Sequence, residues 1–113
     1  MSSEKYSFVI TDKANTDLDE IVRYISIELA NPDAASGFID HFLEMVDNVC
    51  SFPESGSLVN NVFLPDSSVR HKVIGNYVMY YLPDDDLRAC IVLRVIYGGR
   101  DLEGILKQAK TEE

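Results

Sequence analysis

The chain has 113 residues, 46% of them hydrophobic and 26% charged, which reads as one globular domain over residues 1–113 with a real core and little room for a second. Nineteen acids against ten bases leave a net charge of −9, an excess that argues against tight binding to free nucleic acid, where clustered Lys and Arg must neutralise phosphates. No apolar run reaches the ~20 residues of a membrane span, and the patch after Lys5 is too short for a signal-peptide core, so no membrane association and a cytoplasmic location are expected.

Tyr6 to Ile10 alternates and predicts a first strand over 6–10. Thr11 or Asp12 can then cap a helix. Ala14, Leu18, Ile21, Ile25 and Leu29 form one apolar stripe of a helix over 12–30, leaving Asp17, Asp19, Glu20, Arg23 and Glu28 outside. Asn31-Pro32 stops that helix and starts the next, because proline disfavours helix in the residue before it yet suits a first turn. The second helix, 32–51, buries Ala35, Phe38, Ile39, Phe42, Val46 and Val49, and the short link makes the two an antiparallel hairpin. His41 reads as a surface histidine. Cys50 and Cys90 lack CxxC or Cys/His ligand spacing and read as buried free thiols; no metal or cofactor is expected.

After a turn cluster at Pro53 to Ser57, the segment to Asn61 reads as irregular loop, and Val62 to Pro65 is at best an edge strand. Three strands follow at 69–74, 77–82 and 89–97, joined by turns at Gly75-Asn76 and Pro83 to Asp86, and Asp101 can cap a short helix over 101–109. On the first of these strands Arg70 and Lys72 share one face, and Val69, His71 and Val73 the other. Along 89–97 the odd positions read as the buried face, with Cys90, Val92, Arg94 and Ile96 on a mixed face. An arginine in such a run is solvated, held by a carboxylate, or part of a site. The sum is an α+β fold: an N-terminal strand and a helix hairpin packed on a largely antiparallel sheet, completed by a three-stranded meander and a short C-terminal helix. The helices cover one face. The other face and the sheet's C-terminal end are expected to stay open, carrying Arg70, Lys72, Arg94, Tyr97 and Arg100. Residues 1–53 hold ten acids and three bases, and residues 54–113 nine and seven, so the bases gather in this second half.

Taken in order, Asp17-Leu18-Asp19-Glu20-Ile21, Asn31-Pro32, Phe52-Pro53-Glu54-Ser55-Gly56, Asn76-Tyr77-Val78-Met79-Tyr80-Tyr81 and Leu93-Arg94-Val95-Ile96-Tyr97-Gly98-Gly99-Arg100-Asp101 make a series. In it the chain resembles the RelE/ParE superfamily of toxins from type II toxin–antitoxin systems, also called plasmid-stabilisation proteins, and is closer to the ParE side. The resemblance implies a toxin that arrests growth and is neutralised by a cognate antitoxin. A ParE-like member would bind and inhibit DNA gyrase with no catalytic residue of its own, Arg70, Arg94, Tyr97 and Arg100 then contacting partners. A RelE-like member would be a ribosome-dependent mRNA endoribonuclease, with Arg70, Arg100 and Tyr97 catalytic and Lys72 and His71 as helpers. A third possibility is a non-toxic, antitoxin-binding remnant. The acidic balance, with Lys72 the only lysine between Lys13 and Lys107, favours the gyrase reading over entry into a ribosomal RNA site. It also implies that the antitoxin's binding segment is less acidic than usual or binds mainly through apolar contacts.

Overall fold

Thr11 starts the helical half of the molecule: its backbone is extended, and its hydroxyl oxygen accepts the Ala14 N–H at 3.1 Å. The computed structural model describes residues 5–59 and 68–98. Within them, β1 (Ser7–Ile10) leads into α1 (Asp12–Arg23), a π-helix (Tyr24–Glu28) and α2 (Pro32–Ser51). Strands β2 (Ser57–Leu58), β3 (Arg70–Ile74), β4 (Tyr77–Asp84) and β5 (Ala89–Tyr97) follow. The sheet order is β1-β5-β4-β3-β2, with β1 parallel to β5 and every other pair antiparallel. This is the α+β fold expected. The edge strand β2 lies where an irregular loop was expected, and the possible strand at 62–65 and the helix at 101–109 lie outside the described residues.

The core fills the space between helices and sheet. Ala14, Leu18 and Ile21 of α1 and Phe38, Phe42 and Val46 of α2 meet Met79 and Tyr81 of β4 and Val92 and Val95 of β5. Asn31 accepts the Ala34 N–H at 3.0 Å, so α2 begins with a side-chain cap and a proline in its first turn.

The first helix differs from the single span over 12–30. At Tyr24 it widens: the Leu29 N–H donates to the Tyr24 carbonyl at 3.0 Å, closing a turn one residue longer than an α-turn, and the Asn31 N–H donates to Ile25 at 3.1 Å. The Ser26 hydroxyl donates to the Val22 carbonyl at 2.7 Å and competes with the helix ladder there. Leu29 therefore leaves the buried stripe, is half exposed, and is followed by Ala30 at a left-handed φ of 51°.

A second difference lies in β5. The register shifts between Tyr80 and Tyr81: Tyr80 pairs with Arg94 but Tyr81 with Val92, leaving Leu93 as the extra residue of a β-bulge. The bulge reverses the phase. Cys90 and Val92 face the helices before it, Val95 after it, so the simple odd-face reading of 89–97 is wrong. The far face is not fully open either, because Val59, Tyr80 and Ile96 are buried there against Val69 and Val78.

Candidate partner-binding groove

Arg94 is held by a carboxylate. Its Nε donates to Asp17 Oδ2 at 2.8 Å and its Nη2 to Oδ1 at 3.0 Å, a two-point pair whose side chains are 16% and 8% exposed. The Val95 N–H adds a third bond to Asp17 Oδ2 at 3.0 Å. Asp17, expected outside, is thus buried, and the reason is the sheet's shape. β1 ends at Ile10, so beyond Val92 the edge of β5 has no strand neighbour among the described residues, and the start of α1 supplies partners instead. Thr11 donates to the Val92 carbonyl through its N–H and to the Leu93 carbonyl through its hydroxyl, both at 3.1 Å.

Arg70 is also committed. Its Nη1 donates to the carbonyls of Gly56, at 2.7 Å, and Glu54, at 3.1 Å, clamping the loop after α2. The same loop is held by Tyr81, whose hydroxyl donates to the Pro53 carbonyl at 2.8 Å and accepts the Gly56 N–H at 2.9 Å. Lys72 lies at a shallow surface cleft with His41 and Glu44 of α2. His71 pairs across the strands with Tyr80, ring centroids 6.1 Å apart, and its Nδ1 is buried without a hydrogen bond to any described residue. Arg100 lies outside the described residues.

The structure does not bring the described candidates together. Arg70 pairs with Tyr81 on the helix side of the sheet and Arg94 with Tyr80 on the far side, from which it reaches past the β5 edge to Asp17. Tyr97 sits four residue steps along and two strands across from Arg70, roughly 16 Å at sheet spacings.

Tyr97 belongs to a different feature, a groove of about 570 Å³ between the first helix and the outer end of β4 and β5. Ile21, Tyr24 and Leu29, with Glu20 and Asp17 beside them, form one wall. Tyr77 and Tyr97, with Asn76 and Val95, form the other. The Tyr77 ring stacks edge-on with Tyr97 at 5.9 Å and with Phe38 at 5.2 Å. Burial, and then the nearby phenols of Tyr24 and Tyr97, push the Tyr77 hydroxyl above its usual pKa. Tyr24, Leu29 and Tyr97 are each half exposed. Tyr24 and Leu29, five residues apart, are 140° apart around an ideal α-helix; the π-turn brings both to this wall.

The model of the family described as the ParE toxin of type II toxin–antitoxin systems, parDE, matches residues 8–102. The chain belongs to this ParE toxin family. Solved structures agree on the fold. The chromosomal ParDE toxin–antitoxin system of P. aeruginosa superposes with a TM-score of 0.65 at 20% identity, over 84% of this chain and 98% of that one. The RelBE2 toxin–antitoxin complex of Mycobacterium tuberculosis gives 0.58 at 17% identity, over 83% and 99%. The isolated E. coli RelE toxin gives 0.53 at 11% identity, over 95% and 97%. Among curated proteins no match is found. The expected RelE/ParE likeness, nearer the ParE side, is therefore supported by family and fold alike. The tyrosine groove was missed by sequence reasoning, because its walls come from stretches some fifty residues or more apart and depend on the π-turn.

Proposed function

We propose that this ParE-family toxin arrests growth by binding a protein target, DNA gyrase, rather than by cleaving RNA, and that an antitoxin holds it silent. One observation carries the choice. Arg70 and Arg94 are already spent on main-chain carbonyls and on the Asp17 carboxylate, and they start from opposite faces of the sheet. An RNA-cleaving site needs cations converging on one developing charge, and among the described residues no such convergence exists. A net charge of −9 adds repulsion against ribosomal RNA. An antitoxin partner is supported by the ParDE and RelBE2 neighbours, which are both toxin–antitoxin systems.

Expression of the chain without a partner should arrest bacterial growth, and the purified protein should inhibit supercoiling by gyrase while leaving mRNA intact on translating ribosomes. Cleavage of ribosome-bound mRNA without gyrase inhibition would overturn the proposal. Absence of any growth effect would leave only a non-toxic antitoxin-binding protein.

A further inference from the structure

We infer that Cys50 and Cys90 form a redox pair, which a peroxide converts into a disulfide that pins the last turn of α2 to the start of β5. The inference goes beyond the toxin reading above and holds whichever target the toxin has. The chain has these two cysteines, both buried and both free thiols. Cys50 stands next to last in α2 and Cys90 second in β5. The Cys90 thiol donates to the Val49 carbonyl at 3.4 Å, the carbonyl bonded to the nitrogen of Cys50 itself. The Cys50 thiol donates to the Ser7 carbonyl at 3.5 Å, one residue before Phe8, which pairs with Cys90 in the sheet. Both sulfurs therefore lie at the junction of β1, α2 and β5, within hydrogen-bonding reach of each other. Joining them asks the two side chains to turn, not the elements to move.

Their surroundings set the order of reaction. Cys90 is flanked by β1 and β4, paired with Phe8 and Pro83, and stays in the sheet. Cys50 is one residue from the end of α2, and Phe52 beyond it is exposed, so fraying of that end uncovers Cys50 first. The hydrogen bond between the thiols also favours the thiolate at Cys50 over that at Cys90. The Cys50 thiolate attacks one peroxide oxygen. The O–O bond breaks, the other oxygen leaves as hydroxide and takes up the proton that Cys50 released, and Cys50 becomes a sulfenic acid. The Cys90 sulfur then attacks the Cys50 sulfur; the S–O bond breaks, and hydroxide leaves as water with the Cys90 proton. Two thiols and one peroxide thus give one disulfide and two waters, with two electrons passing from sulfur to oxygen.

The bridge closes a stretch of 40 positions that holds β2, β3 and β4. A crosslink over so long a stretch removes much of the freedom of the unfolded chain. The oxidised toxin should therefore resist unfolding, and proteolysis of its open states, better than the reduced one.

The intact chain, reduced and then freed of reductant, is treated with hydrogen peroxide without denaturant and read by mass spectrometry and thermal melts. The expected product is a single chain that has lost two hydrogens, with one linked pair of peptides carrying Cys50 and Cys90. Its midpoint should rise by about 10 °C or more, and dithiothreitol should reverse both changes. Cys50→Ala should show neither change. If that variant does not fold, the mass and the melt of the unaltered chain still decide. A chain that keeps two free thiols, one that gains oxygen on its cysteines without linking them, one linked only to other chains, or a linked chain that melts no higher than the reduced one overturns the inference.

Discussion

Asp17 shows how much one side chain can hold. Its carboxylate accepts two bonds from Arg94 and one from the Val95 N–H, joining α1 to β5 where the sheet runs out of strands. Asp17→Ala takes away those acceptors and should cost about 3 kcal/mol in urea unfolding, whereas Asp17→Asn, which keeps an acceptor, should cost less. The sequence did hold a signal for this pair. Asp17 sits three residues after Ala14 and four before Ile21, on the apolar stripe itself, just as Arg94 sits inside an apolar strand. Arg94 was read as an anomaly and Asp17 was not, being assigned to the outside of the helix; that they meet was not legible, because the meeting depends on β1 stopping at Ile10. Cys90 gives a pH test. Burial, with Cys50 beside it, pushes its thiol from 9.0 to about 12, so the folded state holds a proton that the unfolded chain releases above pH 9. Cys90's contribution to stability should be level below pH 9 and be lost as pH rises from there towards 12, so the alkaline fall in urea midpoints should be less steep in Cys90→Ala.

At the scale of elements, the loop between α2 and β2 is fixed by contact as well as by its own turn, in which the Ser55 N–H donates to the Phe52 carbonyl at 2.9 Å. A Cβ on Gly56 would lie 2.7 Å from the Tyr81 hydroxyl oxygen and 2.8 Å from the His71 carbonyl oxygen, so Gly56→Ala should cost about 2 kcal/mol in denaturant melts. Tyr81→Phe removes the acceptor for the Gly56 N–H and should cost about 1–3 kcal/mol. Both helix starts were legible, since Thr11 and Asn31 cap as expected, and the apolar stripe of α2 marked its buried face. The π-turn was not. Ile25 and Leu29 keep helical spacing in the sequence, and nothing in that spacing reveals that the Ser26 hydroxyl and the restart at Asn31-Pro32 accompany a widened last turn. The bulge at Leu93 was hidden for a similar reason, because the apolar run from Ala89 to Leu93 looks the same in either phase.

For the molecule as a whole, charge and fold are separate matters. A net charge of −9 sits on the same architecture as the P. aeruginosa ParDE and E. coli RelE structures. Self-repulsion should make the isolated protein gain stability as sodium chloride is raised from about 50 mM to about 500 mM, seen as a rising urea midpoint; a flat or falling midpoint would show that local pairs such as Lys5 with Asp47 outweigh it. The parallel strand β1 has another consequence, one of timing. Its sheet neighbour is β5, with Ser7 facing Ala89 across 82 positions of sequence, and α1 relies on the same strand through Thr11 and Asp17. A nascent chain that has not yet reached residue 97 has the helices but not the whole strand that anchors β1 and α1, so they wait, exposed, until β5 is made. Every copy terminated before β5 keeps β2, β3 and β4 as partners of one another but lacks the strand that joins β1 and α1 to them.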